Sequence, residues 1–272
     1  MVLKPDVGER GSGIVIAHSP EELNAHLQPG MILQEYVPGV EFGVFYYRYP
    51  GEPRGRILSV THKQFPIVVG DGVSTLEKLI LVDSRAVAIA PVYLARHPDA
   101  GTRVPDFGEL VQLVNIGSHC RGAVFVDGSQ YMTEALTIRV DEIVHHFSDF
   151  YFGRLDVRSP SIEHFKRGEF LILELNGVTS EPTHIYDPRV SLIAAYRAMF
   201  MQWRLAFEIG AANRMLGHEP ATIGEIVRLL RRRRCSISSG SDIPAASAPP
   251  PAAKPLCKAT GGSESTQNRS HA

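Results

Sequence analysis

Two short stretches of this chain carry the residue types that phosphate chemistry needs. Arg154-Leu155-Asp156-Val157-Arg158 is followed, one loop later, by Leu173-Glu174-Leu175-Asn176-Gly177. On a β-strand, residues i and i+2 face the same side. Glu174 therefore shares a face with Asn176, and Asp156 shares one with Arg154 and Arg158. If the two strands are neighbours, Asp156, Glu174 and Asn176 form an oxygen-only cluster beside two guanidinium groups. Hard oxygen donors with little His or Cys nearby suit Mg²⁺, which usually shares its shell with substrate phosphates. The competing reading is a surface salt-bridge ladder, to which an Asn and a Gly at a strand end add little.

A second candidate lies near the N-terminus, where Lys4 precedes Gly8-Glu9-Arg10-Gly11-Ser12-Gly13. A glycine-rich turn lets backbone N–H groups approach phosphate oxygens, and a nearby lysine adds charge. It is not a Walker A loop, because no Gly-Lys-[Ser/Thr] opens a helix. It is not a dinucleotide fingerprint either, since the spacing is wrong and a strand follows it. Taken alone, a plain hairpin turn explains it equally well. His145-His146 and Cys120 do not make a metal site, because adjacent residues on a helix do not face one ligand.

The composition bounds what these residues can serve. The 272 residues are 44% hydrophobic and 21% charged, as expected of a folded domain and not of a wholly disordered chain. Lys and Arg number 28 against 29 Asp and Glu, a net charge of -1 that argues against binding nucleic acid through its backbone. The three cysteines, Cys120, Cys235 and Cys257, have unrelated spacings, which excludes a disulfide framework and suits a reducing compartment. No apolar run approaches the roughly 18 residues of a membrane span, and no signal-peptide segment precedes the first charges. A soluble, cytoplasmic protein with no membrane partner is expected.

The elements that must position the candidates read as α+β with antiparallel strand pairs. Val2–Pro5 and Ile14–Ala17 read as strands around the glycine-rich run. Ser19-Pro20-Glu21-Glu22 starts a helix, with Ser at N-cap, Pro at N1 and Glu at N3, that runs to about Leu27. Met31–Val37, Glu41–Tyr49 and Arg56–His62 read as strands. Gly70-Asp71-Gly72 is a turn, Thr75–Val82 is helical, and a loop-rich stretch runs to about Asp106. Gly122–Val126, Phe152–Val157 and Phe170–Leu175 are strands, with a helix near Asp141–Ser148. Ser191 to about Leu216 is a long helix whose Leu192, Tyr196, Met199, Trp203 and Phe207 recur at core spacing and are read as packing residues. Residues 219–235 form an amphipathic helix ending in Arg231-Arg232-Arg233-Arg234, a solvated helix end favoured by the dipole. Residues 236–272, rich in Ser, Pro, Ala and Gly, are expected to be a disordered tail.

In this order the pieces resemble the ATP-grasp superfamily, on the side of the carboxylate–amine and D-alanine–D-alanine ligases. The matching stretches are VLKPDVGERGSG, LQEYVPGVEFGV, VVGDGVSTLEKLI, GRLDVR and LILELNGVTSEPTHIYDP, and residues 1–218 would form the domain. The resemblance implies an ATP-grasp fold, two α+β subdomains clasping nucleotide. Lys4 matches the lysine that contacts ATP phosphates, ahead of a lid in which Arg10, Gly11, Ser12 and Gly13 would bind the nucleotide. Gln34, Glu35, Tyr36 and Val37 match the hinge that reads the adenine edge, and Glu41 the residue that holds the ribose hydroxyls. Lys63 lies where a further phosphate-contacting lysine is found. Asp156, Glu174 and Asn176 match the ligands of Mg²⁺, or of Mn²⁺ in its place. Arg154 matches an arginine that steadies the acyl phosphate. The implied reaction joins a small-molecule carboxylate to an amine at the expense of ATP. Such phosphoryl transfer relies on positioning and charge neutralisation more than on covalent help. The turn at Gly70-Asp71-Gly72 and the loop Gly177–Pro188, with Ser180, Glu181 and His184, would lie near the acceptor.

The sequence departs from that superfamily at both ends, the tail after Arg234 matching nothing in it. Members carry a separate N-terminal domain and a strand pair ahead of the segment that begins here, so an N-terminally incomplete domain is expected. Its partner would be a separate N-terminal half or a second copy. Two further readings compete with a ligase. One is a nucleotide-binding fragment, or partner-dependent half, without catalysis of its own. The other is a scaffold or nucleic-acid module acting through the arginine run, which the net charge disfavours.

Overall fold

The computed structural model describes residues 1–6, 11, 13–115, 117–118, 122–147 and 149–238. It is a mixed α and β structure in which every strand pairing is antiparallel. Val2–Pro5 (β1) lies between Val15–Ile16 (β2) and Met31–Gln34 (β3) in a three-stranded sheet. The helix Pro20–His26 (α1) joins β2 to β3, and Ser19 caps it by accepting from the Glu22 amide. The strand expected over 31–37 stops at Gln34, because beyond it the Val37 carbonyl accepts from Arg158 and Pro38 has no N–H to give.

The second sheet contains Val40–Tyr47 (β4), Arg56–Gln64 (β5), Val124–Asp127 (β8), Phe152–Ser159 (β9) and Leu171–Asn176 (β10). Its strand order is β10-β9-β4-β5-β8. Gly39 leads into β4 with φ +120°, and a Cβ there would strike the Ser159 carbonyl, so only glycine fits. Alternation along these strands divides the sheet into two unlike faces. Phe42, Val44, Tyr46, Val60, Leu155 and Val157 point one way and form the main core. The helices Glu134–Val144 (α4) and Ile162–Lys166 (α5) cover that face with Leu136, Val140, Val144 and Phe165. The Phe165 ring stacks on Phe42 at 3.8 Å between centroids. Helix α4 starts seven residues before the expected Asp141, because Thr133 caps it by accepting from the Leu136 amide.

Within this core the Tyr46 hydroxyl donates to Asp141 Oδ1 at 2.6 Å, and the Gly55 amide donates to the same oxygen at 2.8 Å. Burial and the Asp141 charge both push the phenol up. Tyr46→Phe should cost about 1–2 kcal/mol, read as a lower urea midpoint at unchanged slope, since it removes one donor from a partly buried carboxylate.

The stretch from 83 to about 106, expected to be loop-rich, instead joins the helix expected over Thr75–Val82 in a small core of its own. The strands Ile67–Val69 (β6) and Leu110–Gln112 (β7) pair, and Leu76–Val82 (α2) and Ala90–Leu94 (α3) pack on them. Val68, Leu76, Ile80, Ala90, Tyr93 and Val111 fill this core. Each comes from an element too short to show a period.

The long helix is Leu192–Met215 (α6), capped by Ser191. It seats Leu205 and Ile209 against Phe45 and Phe152, on the sheet face opposite the main core. Gln202, buried, donates to the Ser180 carbonyl at 2.6 Å. The expected packing stripe faces the other way: Leu192, Tyr196, Met199, Trp203 and Phe207 are all exposed. The period was real, but α6 is apolar on two sides, and Leu205 and Ile209 complement the sheet. Ile223–Ser238 (α7) follows, extending three residues past the expected end at 235. The rest of the expected tail lies outside the described residues, as do Arg10 and Ser12.

Candidate functional site

The face of the second sheet that α6 leaves uncovered turns toward the first sheet, and a cleft of about 900 Å³ lies between them. Lys4, Gly11, Gln34, Glu35, Tyr36, Val37, Glu41, Lys63, Arg154, Asp156, Glu174 and Asn176 all line it. Gly13 is buried beside it and does not line it.

Register explains the convergence. On β9, Phe152, Arg154, Asp156 and Arg158 point to one face; Phe152 lies under α6 and the three charged residues lie in the cleft. Asp156 pairs across with Glu174 and Asn176 with Arg154, as neighbouring strands require. On the other side Glu41 pairs with both Arg158 and Lys63.

The result is a chain of buried charges that alternates in sign. Arg158 Nε donates to Glu41 Oε2 at 3.0 Å, and Lys63 Nζ donates to Glu41 Oε1 at 3.0 Å. Lys63 Nζ also reaches Asp156 Oδ2 at 3.1 Å, and Arg154 Nε donates to Asp156 Oδ1 at 2.8 Å. Burial alone would lower the Lys63 ammonium, but the Asp156 and Glu41 charges outweigh it and hold it above its usual value. Burial would likewise raise the Asp156 carboxyl, and Lys63 and Arg154 outweigh that and hold it low. Lys63 and Asp156 therefore stay ionised at neutral pH. The row holds three cations and two anions, and Arg154 at its end also feels the Glu174 and Glu181 carboxylates. Glu41 is only 4% exposed, and Gly117 is what admits it: a Cβ there would overlap its carboxylate.

Arg158 does more than its place in the motif suggested. Beyond Glu41 it donates to the Val37 carbonyl at 2.8 Å and the Asn115 carbonyl at 3.0 Å, between the rings of Tyr36 and Phe65. It thus ties the segment at Val37 to the end of the small core. The alternation Arg154-x-Asp156-x-Arg158 put it on the right face, but its partners are remote in sequence.

A bulge in β10 shapes the opposite wall. The pairing shifts between Ile172 and Glu174, so Ile172 and Leu175 both pack on the main core despite their odd spacing. The bulged Leu173 offers its carbonyl to Lys4 Nζ at 2.9 Å and Gln34 Nε2 at 3.5 Å. These two contacts tie the first sheet to the second.

The loop after β10 contributes Thr179, Glu181, Thr183 and Tyr186 to the lining. Arg154 donates to the Glu181 carbonyl at 3.2 Å, and the Tyr186 hydroxyl to the Glu181 carboxylate at 2.5 Å. Ser180 and His184 do not line the cleft, and burial pushes the His184 imidazole down, toward its neutral form. The turn at Gly70-Asp71-Gly72 lies elsewhere too; Asp71 accepts from the Val73 and Ser74 amides, which hold its carboxyl down at about 2.

The donor set can be tested for a divalent cation. Among the described residues no three His, Cys, Asp or Glu side chains converge as a ready-made metal centre. Asp156 is engaged by Lys63, Arg154 and Asn176, whereas Glu174 is exposed and accepts no hydrogen bond from the described residues. Two carboxylates and an amide on adjacent strands fit an ion that arrives with a phosphate ligand and takes part of its shell from it.

No protein-family model matches the chain, and no curated protein matches it. Among solved structures it is similar to a bifunctional glutathione synthetase from Pasteurella multocida. The TM-score is 0.42 and the identity 17%, over 75% of this chain and 30% of that one. The chain thus spans less than a third of that protein's length, and a likeness this low fixes neither fold nor chemistry. Among the described residues no helix is long and apolar enough to cross a membrane.

Proposed function

We propose that this chain is an ATP- and Mg²⁺-dependent ligase that joins a carboxylate to an amine. The observation that carries the reading is the convergence of one cleft's parts: Lys4 on the first sheet faces Arg154, Asp156, Glu174 and Asn176 on the second, with the hinge residues 34–37 at one end. A cleft of about 900 Å³ is of the size that takes a nucleotide. Lys4 and Arg154 supply positive charge to the phosphates. Glu174, Asp156 and Asn176 would hold Mg²⁺, which when bound neutralises phosphate charge. The hinge backbone at Glu35–Val37 offers donors and acceptors to a base edge.

The reaction balances without covalent help from the protein. A carboxylate oxygen of the substrate attacks the γ-phosphorus, the bond to the β-phosphate oxygen breaks, and ADP leaves. The amine then attacks the acyl carbon, phosphate departs with the electron pair of the broken C–O bond, and the amine proton passes to water. Arg154, with one face toward Glu181, is placed to steady the negative charge in both steps.

The test is thermal melting of the chain with Mg-ATP, with ATP plus a chelator, and with neither. A ligand at one hundred times its Kd stabilises by about 2.7 kcal/mol, a rise of several degrees. The rise should require Mg²⁺ and shrink in Lys4→Met. A cooperatively melting protein that shows no shift would overturn the reading. A shift confirmed by binding, followed by ADP release when carboxylates and amines are paired, would extend it to turnover.

A further inference from the structure

The outer face of α6 is a feature that the cleft chemistry does not use. It presents Leu192, Tyr196, Met199, Phe200, Trp203 and Phe207, with Phe200 74% and Phe207 73% exposed. Four of the six are aromatic, and at these exposures the stripe offers on the order of 800 Å² of mostly apolar surface. The largest apolar patch on an ordinary monomer is about 300–600 Å². A helix apolar on both sides belongs inside an assembly, and the inner side of α6 is already spent on Leu205 and Ile209.

We propose that this stripe is where two copies of the chain associate, α6 against α6, antiparallel about a two-fold axis passing between Met199 and Phe200. The argument is the order of the residues. Their spacings along the helix, four, three, one, three and four, read the same from either end, and Ile193 at the stripe's edge, also exposed, maps onto Ala206. An isologous interface demands this, because residue i must meet j while j meets i. The axis sets Leu192 against Phe207, Tyr196 against Trp203, and Met199 against Phe200, leaving no stripe residue without an apolar counterpart. No charged side chain interrupts the stripe. Arg204 and Glu208, on its flank, pair with each other at 2.7 Å. About 800 Å² per copy is also the area a standard specific complex buries on each partner. The absence of charge leaves nothing on the stripe to recognise nucleic acid or an acidic peptide.

Trp203 is the chain's one tryptophan, so its emission reports on this face directly. Sedimentation equilibrium of the full chain over a broad concentration range should give a monomer–dimer equilibrium, with Trp203 emission moving to the blue as dimer forms. Phe200→Glu should weaken association at least about 30-fold, as loss of a central contact does. Far-UV dichroism should not change, because Phe200 is exposed in the single copy. Mixing Phe200→Glu with Met199→Lys should restore a dimer that neither forms well alone, since the axis brings those positions together. A single-copy mass at every concentration would overturn the proposal, and so would association that Phe200→Glu leaves untouched. A blue, concentration-independent Trp203 in a single-copy particle would also overturn it, showing that α7 covers the stripe within one chain.

Discussion

Asp156→Asn should lower the melting temperature by about 10 °C or more. Removing one partner of a buried ion pair costs about 3–5 kcal/mol, because the other charge stays buried without compensation, and a domain of this size loses about 2–4 °C per kcal/mol. The alternation of the row decides where that cost falls. Arg158, Glu41, Lys63, Asp156 and Arg154 already hold three cations against two anions. Neutralising Asp156 leaves Lys63 and Arg154 facing each other across an uncharged amide. Lys63→Met instead leaves each carboxylate its own arginine, Glu41 with Arg158 and Asp156 with Arg154, and should cost clearly less. Calorimetry of the two variants side by side checks the order, and equal losses would contradict it.

The pH dependence has a definite sign. Lys63 and Arg154 hold the Asp156 carboxyl below its ordinary 3.8 against the opposing pull of burial. A depressed carboxyl stabilises the fold above its unfolded value and loses that contribution as pH falls through its folded value. The raised Lys63 ammonium contributes fully below its ordinary 10.5 and loses its share as pH rises through the folded value. The wild-type chain should therefore hold a stability plateau between these limits and fall off outside them. In Asp156→Asn the acid limb should flatten, because the carboxylate that titrates there is gone. Urea midpoints taken from pH 2 to pH 6 would show this.

Glu174→Gln should do the opposite: leave the melting temperature within about 1 °C and abolish the Mg²⁺-dependent response to ATP. Glu174 sits directly across from Asp156 in the strand register, yet it is exposed and accepts no hydrogen bond from the described residues. Exposed substitutions of this kind usually change stability by less than about 0.5 kcal/mol. Its carboxylate is thus held ready without stabilising the fold, and the amide that replaces it keeps its shape but not its charge. On the proposed reading Glu174 would act through the Mg²⁺ it holds, and removing one group that stabilises transition-state charge costs a factor of about 10² to 10³ in turnover. Measured together, melting curves and ADP release separate Glu174 from Asp156, which should lose both. A Glu174→Gln protein that still answers Mg-ATP like the wild type would remove Glu174 from the site.

The strand-borne part of the cleft was legible in the sequence because period-two alternation, once two strands are taken as neighbours, fixes which side chains share a face, whereas residues 34–37, Glu41 and Lys63 were placed by the superfamily resemblance alone. Asp156, Glu174 and Asn176 needed nothing more. The bulge at Leu173 was not legible: nothing local distinguishes Leu173 from Ile172, and only the core's demand for both Ile172 and Leu175 selects it. The partners of Arg158, at Glu41, Val37 and Asn115, lie 43 to 121 residues away and follow from tertiary packing alone. Residues 83–106 read as loop because the pieces they add to the small core are each below the length at which periodicity appears, whereas the helix at Leu76–Val82 stands where it was expected. On α6 the stripe of large side chains was found and turned the wrong way, since two apolar faces on one helix give a period without a direction. That Glu41 and Lys63 satisfy each other at the cleft floor was also invisible, because residue type states a charge and not its neighbour.

The bulge in β10 has one more effect. β10 is one of the two outermost strands of the five-stranded sheet, a position at which a stray chain would add itself by backbone pairing. Addition of that kind needs an uninterrupted run of evenly spaced N–H and C=O groups. At Leu173 the spacing slips by one residue, and the carbonyl there is already occupied by the Lys4 ammonium and the Gln34 amide. An incoming strand would have to displace a charged hydrogen bond and change register midway. The same irregularity that joins the two walls of the cleft therefore guards the open rim of the sheet against aggregation.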